Sequence, residues 1–330
     1  MNILVTGGAG YIGSHTVRAL LESKEFTPVV FDNLATGHAE SVPQGTPLVQ
    51  GDIHDIDLVA ETLKKYDISG VIHFAAYSLV GESITDPAKY YANNVEGTLH
   101  LLLGMKKAGV DKIVFSSTAA VYGEPEKTPI EEDFPHHPTN VYGRTKLVIE
   151  NMMGDFTNAY GLNYVALRYF NAAGAAQDGA IGEDHNPESH LIPLILKAAQ
   201  GVRDHISIYG TDYPTPDGTC IRDYIHVLDL ADAHVLAMKY LMNGGKSNYF
   251  NLGSEKGFSV REIIETARKV TGIDFKVLEE ERRSGDPAVL IASSRKFRAS
   301  LGWHPTHSNT EEIIASAWNW HKNHPHGYGK

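Results

Sequence analysis

Three residues of the sequence have side chains and a spacing suited to proton transfer. In the run YGRTK, Tyr142 and Lys146 stand four positions apart and share one face of a predicted helix. A lysine cation lowers the pKa of a nearby phenol, and the phenolate accepts a proton from a substrate hydroxyl as hydride leaves the same carbon. Thr118 follows an apolar run and would hydrogen-bond to that hydroxyl oxygen. Because a lone Tyr-x-x-x-Lys pair is usually an ordinary helix surface, its meaning depends on the rest of the chain.

A glycine-rich turn near the start of the chain supplies that context. TGGAGYIG follows the first predicted strand and opens the first predicted helix. Gly8, Gly10 and Gly13 satisfy G-x-G-x-x-G, and Gly7, Gly10 and Gly13 give the wider spacing. Such glycines permit a tight turn, close approach of a pyrophosphate and helix–strand packing. The helix N-terminus offers free N–H groups to the phosphates, so the turn predicts a dinucleotide site.

One acidic residue favours NAD as that dinucleotide, and a second could bind its adenine ring. Asp32 ends the second predicted strand, where a carboxylate would bind the adenosine ribose hydroxyls and repel a 2′-phosphate. The positive nicotinamide of oxidised NAD would lower the pKa of Tyr142 further. Asp52 and Ile53 follow the third strand and could bind the adenine amine and ring face. Asp52 could equally cap the next helix.

The elements that carry these residues predict a Rossmann-type, doubly wound parallel sheet of the α/β class. Short runs rich in β-branched residues are typical of buried parallel strands: Ile3–Thr6, Val29–Phe31, Pro47–Gly51, Val71–Phe74, Ile113–Ser116 and Tyr164–Tyr169. Helical spacing of apolar residues fills the segments between them: Tyr11–Glu22, Asp57–Lys65, Pro87–Ala108 and Val141–Tyr160.

The pattern changes after Asn171. A loop rich in Gly, Ala, Asp and Pro precedes shorter elements: helices Leu191–Gln200, Asp229–Met242, Val260–Val270 and Thr310–His321, and a strand Ile206–Tyr209. We expect residues 1–171 to form an NAD-binding domain. Residues 172–330 are expected to form mainly a smaller α/β substrate-binding lobe, with some elements able to return to the main sheet.

Composition excludes several classes of protein. The 330 residues are 42% hydrophobic and 21% charged, with a net charge of −11, which disfavours nucleic acid and anionic membranes as main partners. No run approaches the roughly 20 apolar residues of a membrane span, and no leader is expected before MNILVTGG. The single cysteine, Cys220, excludes an intramolecular disulfide and fits a cytoplasmic protein. The 17 histidines form no recognised ligand pattern, so no metal site is expected.

Motifs along the whole chain resemble one family. TGGAGYIGSH, HFAAYSLVGES, YYANNVEGT, FSSTAAVYG, YGRTK, LRYFNAAGA and GTCIRDYIHVLDLADAH together are similar to the UDP-glucose 4-epimerase family of extended short-chain dehydrogenases. The resemblance implies interconversion of UDP-galactose and UDP-glucose on tightly bound NAD, through a 4-keto sugar. It also implies a homodimer formed by the helices containing residues 93–108 and 141–160.

The resemblance assigns further site residues. Contacts to the cofactor are implied for Tyr11, Ile12, Asn33, Phe74, Ala75, Ala76, Asn93 and Phe170, beside Tyr142 and Lys146. Contacts to a UDP-hexose are implied for Thr118, Tyr142, Asn171, His190, Leu191, Ile206, Ile208, Tyr209, Arg222, Tyr224, Arg283 and Asp286. Guanidinium groups suit diphosphate oxygens, although both arginines could instead form surface salt bridges.

The chain departs from the family pattern at a few positions. Ser78 replaces a frequent lysine that reaches the cofactor phosphates, His190 replaces a frequent asparagine, and Thr118 replaces a more usual serine. Val289 aligns with a residue, often tyrosine, that limits space beside the sugar 2-position. N-acetylated UDP-hexoses are therefore also expected as substrates.

Related activities remain as alternatives. A 4,6-dehydratase of the same family needs an acidic pair after the threonine, and this chain has Ala119 and Ala120 there. A UDP-glucuronate decarboxylase matches less well, and another NAD-dependent nucleotide-sugar epimerase of the family is a further alternative. A non-catalytic dinucleotide-binding protein would be expected to have lost Tyr142 or Lys146, and both are present.

Overall fold

The computed structural model describes residues 1–283 and 286–329. Within these residues the chain forms fourteen β-strands and eleven α-helices. The strands are β1 (Asn2–Thr6), β2 (Thr27–Asp32), β3 (Leu48–Gln50), β4 (Ile68–His73), β5 (Lys112–Ser116), β6 (Asn163–Arg168), β7 (Asn171–Ala173), β8 (Ile206–Tyr209), β9 (Ile221–Arg222), β10 (Tyr224–His226), β11 (Asn248–Asn251), β12 (Phe258–Ser259), β13 (Val277–Glu280) and β14 (Val289–Leu290). The helices are α1 (Tyr11–Ser23), α2 (Ile56–Lys65), α3 (Val80–Thr85), α4 (Pro87–Tyr90), α5 (Gly97–Ala108), α6 (Val141–Tyr160), α7 (Leu191–Ala199), α8 (Val227–Met242), α9 (Val260–Thr271), α10 (Arg295–Leu301) and α11 (Thr310–Asn323).

Seven parallel strands form the central sheet, in the order β11-β6-β5-β4-β1-β2-β3. The chain leaves β1 towards β2 on one side, and β4 lies on the other side of β1. In such sheets ligands bind in the crevice at the carboxyl ends of the strands where the order reverses. The predicted doubly wound parallel sheet is confirmed, and its switch point lies directly beyond Thr6 and His73.

Alternate residues of each strand enter two separate hydrophobic cores. Ile3 and Val5 pack in one cluster with side chains of α1 and α8, whereas Leu4 packs in the other with side chains of α2, α5 and α6. Both faces of the sheet are therefore covered, which is why its strands read as continuous apolar runs. None of the helices in the described part of the chain is both long and apolar enough to cross a bilayer.

Three smaller sheets lie among the later elements: β8 with β13, β10 with β7, and β9 between β12 and β14. They surround a third cluster that includes Ile195 on α7, Ile263 on α9 and Ile313 on α11. Strand β11 and helix α8 pack on the central sheet although they follow residue 171. The sequence analysis did not predict β11, whose four residues NYFN carry too short a pattern.

One long predicted helix is interrupted. The segment 87–108 forms α4, a π-helical turn at Tyr91–Glu96 and then α5. The turn places the fully buried Asn94 so that its side chain accepts from Tyr77 N at 2.9 Å and donates to Tyr77 O at 3.0 Å. π-Helical turns of this kind are frequent at functional sites, and here the turn fixes the loop that follows β4.

Candidate active site

The glycines of the turn differ in whether the fold itself requires them. A Cβ on Gly13 would lie 2.1 Å from Gly7 O, so helix α1 could not pack against the turn with any side chain there. A Cβ on Gly10 would meet only Gly7 O, at 3.3 Å. The bare surface at Gly10 therefore leaves room for a ligand. No side chain caps α1 and its first turn carries no acid, so its N–H groups face that space with their positive dipole end.

Asp32 holds the turn in place from the end of β2. Its carboxylate accepts from Ala9 N at 2.9 Å and from Leu34 N at 2.8 Å, and burial raises its pKa. Each carboxylate oxygen can accept a second hydrogen bond. Asp32 thus lies beside the turn with acceptor capacity left for further hydrogen bonds, and its contact to ribose hydroxyls stays a prediction.

Asp52 does not cap the next helix. Asp55 caps α2 by accepting from Leu58 N, which leaves Asp52 free of that role. Asp52 instead accepts from Asn33 Nδ2 at 3.0 Å and pairs with His54 Nδ1 at 2.5 Å. Burial raises the pKa of Asp52, but these hydrogen bonds outweigh it and the pKa is lowered. His54 was not predicted from the sequence, and the neighbouring Ile53 is buried in the core with 6% of its surface exposed.

The end of β4 abuts the glycine turn. Phe74 N donates to Thr6 O at 2.8 Å, and a Cβ on Gly7 would lie 2.6 Å from Ala75 N, so the two loops touch through their backbones. Ala76 continues this loop. Asn93 donates to Asn94 Oδ1 at 2.9 Å, and Asn94 is the residue whose hydrogen bonds to Tyr77 hold this loop in place. Tyr11 and Ile12 open α1, and the Tyr11 hydroxyl donates to Gly174 O at 2.6 Å.

The proposed acid/base residues meet at the carboxyl end of β5. Asn140 caps α6 by accepting from Gly143 N at 2.8 Å, which starts the helix one residue before Tyr142. One turn later Lys146 Nζ donates to Ser116 O at 2.8 Å and lies 5.8 Å from the centre of the Tyr142 ring. Thr118 is buried and its hydroxyl accepts from Ala120 N at 3.1 Å. The structure thus brings together all three residues that the sequence singled out.

Burial sets the protonation of this group in the protein alone. It raises the pKa of Tyr142 to about 12, against the opposite effect of the Thr118 hydroxyl. It lowers the pKa of Lys146 to about 7, against the attraction of Glu150. Contrary to the expectation from the sequence, Lys146 therefore does not lower the pKa of Tyr142 in the protein alone, where burial of the phenol dominates. A phenolate at Tyr142 requires further positive charge beside it, which is the charge that an oxidised nicotinamide carries.

An ion pair behind the site was not predicted from the sequence. Glu150 lies one turn beyond Lys146 on α6, and Arg168 ends β6; they are 6% and 1% exposed. Arg168 Nε donates to Glu150 at 3.0 Å, and Ser117 and Tyr122 join the same network. The pair locks α6 onto the sheet, so it positions Tyr142 and Lys146. Pairs of opposite charge 18 positions apart carry no local sequence signal.

Predicted substrate residues line a small cavity between β7, β10 and the start of α7. Its walls are Asn171, Ala172, Ala173, His190, Leu191, Ile192, Pro193 and Tyr224. Asn171 Nδ2 donates to Asp223 O at 2.9 Å. His190 Nδ1 hydrogen-bonds to the Glu183 carboxylate; burial opposes protonation, but the charge of Glu183 raises the pKa of His190 to about 9. Phe170, just before β7, packs beside Tyr122 at the catalytic end.

The other predicted substrate residues fall into two groups. Arg222 and Asp286 form an ion pair with each other, and the Arg283 guanidinium lies 3.9 Å from the centre of the Tyr209 ring. Ile206 and Ile208 are 3% and 2% exposed, and their side chains pack in the hydrophobic core. A ligand beside β8 would therefore meet Tyr209 and backbone groups rather than these isoleucines.

Comparisons with known proteins agree with this geometry. The chain is 55% identical to a UDP-glucose 4-epimerase of Lacticaseibacillus casei, over 100% of this chain and 99% of the relative. A crystal structure of UDP-glucose 4-epimerase from Brucella ovis in complex with NAD superposes with a TM-score of 0.94 at 50% identity, covering 96% of this chain and 97% of that one. The Bifidobacterium longum enzyme in complex with NAD+ and UDP gives 0.92 at 38% identity, covering 99% and 100%. Residues 3–253 match the NAD dependent epimerase/dehydratase family, and the chain belongs to that family.

Proposed function

We propose that this protein catalyses the reversible epimerisation of UDP-glucose and UDP-galactose at C4, through a 4-keto intermediate and without net oxidation. The observation that carries the proposal is the convergence of Tyr142, Lys146 and Thr118 at the carboxyl end of β5, beside the glycine turn. The full-length similarity to UDP-glucose 4-epimerases supports the choice of sugar and of position.

The proposed roles follow from the contacts. The glycine turn and Asp32 would hold NAD, which would supply the acceptor and donor for the C4 hydride. Tyr142 accepts the O4 proton as the hydride leaves and returns it when the hydride is restored to the other face. Thr118 hydrogen-bonds to the same oxygen. Lys146 is held by Ser116 O and stabilises the phenolate when it carries its proton.

Residues of the later elements would hold the substrate by its UDP group. Arg222 and Arg283 supply guanidinium groups for the diphosphate, Asn171 supplies an amide, and Asp286 accepts from the ribose. Binding energy from the UDP group would keep the 4-keto sugar from escaping while the sugar rotates within the site. The ion pair of Arg222 with Asp286 must open or be shared for this to occur.

A dehydratase is disfavoured by the residues after Thr118. Elimination of water across C5 and C6 needs a proton donor and an acceptor near those carbons. Ala119 is fully buried, and neither it nor Ala120 carries a titratable group. The epimerase proposal therefore accounts for the chemistry that the site offers.

Product analysis of the uncoupled reaction tests the proposal directly. The purified chain is incubated with UDP-galactose, first without and then with added NAD, the reaction is stopped, and the sugar nucleotides are separated by liquid chromatography. We expect UDP-glucose at equilibrium proportions and no accumulation of NADH. A 4-keto-6-deoxy product, or no turnover with NAD present, would contradict the proposal.

We also propose that N-acetylated UDP-hexoses are substrates. Val289 lies in β14 beside Ile221 of β9, and a valine there occupies less space than a tyrosine would. Turnover of UDP-N-acetylgalactosamine should therefore be measurable, and a Val289→Tyr variant should lose it while keeping UDP-galactose turnover. Absence of activity in the unsubstituted protein would refute this extension.

Three broader features belong to the same proposal. Residues 1–171 would bind NAD, and most of 172–330 would bind the UDP-sugar. Two copies would pair through α6 and through α5 with the π-helical turn before it, where Val148 and Tyr91 are 39% and 41% exposed. A cytoplasmic location is in keeping with the unpaired Cys220. Light scattering of the protein and of a Val148→Glu variant tests the pairing; a monomer before substitution would contradict it.

A further inference from the structure

Four side chains between β7 and α7 converge on one point. Glu183, His185, Glu188 and His190 each present one ligand atom, and these atoms lie within 4.8 Å of one another. His185 Nδ1 is 3.2 Å from Glu183 Oε1, and His190 Nδ1 contacts the same oxygen. The two imidazole rings are inclined at 77°, so their nitrogens approach the carboxylate from different directions. The arrangement surrounds a common centre from several sides.

Glu188 faces this centre with an oxygen that has no partner. Its side chain is 4% exposed, and Oε1 accepts from Ser189 N and His190 N at 2.7 and 2.9 Å. Oε2 is buried and has no hydrogen-bond partner among the described residues, and His185 Nδ1 lies 4.0 Å from it. Leaving a carboxylate oxygen buried without a hydrogen bond is unfavourable. A ligand at the centre would remove that cost.

The surrounding fold holds these residues rigidly. Gly182 packs under the Trp320 ring, where a Cβ would lie 2.2 Å from the indole, and Trp320 Nε1 donates to Glu183 O at 3.3 Å. His185 stands edge-on to the Tyr11 ring of α1 at 6.2 Å, and His190 begins α7. The four ligand atoms are therefore carried by a loop anchored to α1, α7 and α11, which is the support that a metal site requires.

We propose that Glu183, His185, Glu188 and His190 bind one zinc ion. Two imidazoles and two carboxylates form a set of four N and O ligands that suits four-coordinate Zn²⁺. Two carboxylates also balance the two positive charges of the ion. Mg²⁺ and Ca²⁺ prefer sets made of oxygen alone, so the histidines disfavour them. This proposal departs from the expectation, drawn from the sequence, that the protein has no metal site. That expectation relied on recognised ligand spacings, and the spacing here, E-x-H-x-x-E-x-H, matches none of them.

The proposed ion would act on structure rather than as a catalyst. All four positions are filled by protein, which is typical of structural zinc sites. Zinc on His190 Nδ1 would fix the ring so that Nε2 carries the proton, and His190 lines the cavity between β7 and α7. The ion would thus fasten the loop that joins the glycine-turn half of the molecule to the substrate cavity.

Zinc binding is tested on the full chain without an affinity tag. The protein is dialysed against a chelator, incubated with ZnCl₂, freed of excess metal by gel filtration and analysed for zinc by mass spectrometry. We expect one zinc per chain. His185→Gln and Glu188→Gln, which do not line the cavity, should each weaken zinc binding at least tenfold. His304→Gln, at an exposed position, is the matched control and should bind like the unsubstituted protein.

Two further measurements keep the test independent of how the variants fold. Co²⁺ in place of zinc should give the intense visible bands of a four-coordinate site. Zinc should also slow the modification of His185 by diethyl pyrocarbonate in the unsubstituted protein, mapped by peptide mass spectrometry, and leave His304 unaffected. Substoichiometric zinc, equal binding by the His185→Gln variant, or no protection of His185 would each overturn the proposal.

Discussion

The candidate site has two halves that are held in opposite ways: the first or glycine-turn half, whose residues lie within 1–171, and the later half, whose residues lie within 172–330. In the glycine-turn half, polar side chains bind the backbone of the fold: Asp32 holds Ala9 N, Asn94 holds Tyr77, and Lys146 holds Ser116 O. In the later half, site side chains bind one another: Arg222 pairs with Asp286, and His190 with Glu183. The first half is therefore built as part of the fold, whereas the second contains charges that a ligand can recruit.

This difference has an energetic consequence. Hydrogen bonds to backbone groups remain when a ligand binds, so the first half is organised in advance and its loss should affect rate or stability. A side-chain ion pair must be partly exchanged for contacts to the ligand, so substitutions there should alter affinity. Substitutions in each half, measured by rate, affinity and stability, test whether the two halves differ in this way.

Tyr142→Phe should give the largest effect. The variant loses only the hydroxyl that moves the proton, so kcat should fall by about 10²–10⁴-fold, the usual contribution of general acid–base catalysis. Bound NAD, read from absorbance after denaturation, should be unchanged because the ring remains. Tyr160→Phe, on the same helix and 54% exposed, is the control and should keep full activity. Near-normal turnover by Tyr142→Phe would remove this residue from the mechanism.

Glu150→Gln should be the next largest, and it should act on stability. Breaking a buried ion pair leaves Arg168 charged and uncompensated, which costs about 3–5 kcal/mol in the free energy of unfolding. Urea denaturation measures this loss. Glu131→Gln breaks the exposed pair with Arg295 and should cost less than about 1 kcal/mol. Equal losses in the two variants would mean that the buried network does not anchor α6.

Arg222→Lys tests the later half. Lysine keeps the charge but loses the planar fork that matches diphosphate oxygens. The loss of one charge-assisted hydrogen bond, about 1.5–3 kcal/mol, should raise KM for UDP-galactose about tenfold or more while kcat changes little. Arg261→Lys, in the exposed pair with Glu279, should leave KM unchanged. A fall in kcat alone would show that this half, too, acts through preorganisation.

Local signals in the sequence account for much of the first half. Asn140 before α6 and Gly161 after it, with φ of 75°, explain why the predicted helix 141–160 has the observed bounds. The apolar runs predicted β1, β2, β4 and β5 because both of their faces are buried. Gly10 and Gly13 were found together, although the fold itself requires only the second to lack a side chain.

Features that depend on distant pairing were not predictable. The π-helical turn at Tyr91–Glu96 has no period of its own, since it is set by Asn94 binding Tyr77. The Glu150–Arg168 pair and strand β11 depend on which elements become neighbours in the sheet. The convergence of Glu183 with His190 depends on a loop path fixed by Trp320, far along the chain.

His54→Gln should give the smallest effect, and it tests whether the difference between the two halves holds for every residue of the first half. His54 lies in the first half but pairs side chain to side chain with Asp52; burial lowers its pKa, and the hydrogen bond and charge of Asp52 outweigh this and raise it. A raised histidine pKa contributes stability that is fully present below the unfolded value of 6.5 and is lost as the pH rises through the higher folded value. Because both side chains are about one-third or more exposed, the contribution is only about 0.2–1 kcal/mol. Urea denaturation should therefore show the variant less stable than the unsubstituted protein at acidic pH, and the gap should close at alkaline pH. If the difference in the free energy of unfolding persisted unchanged at alkaline pH, the contribution of His54 would not depend on its charge. His54 would then belong with the residues of the first half that act by binding the backbone.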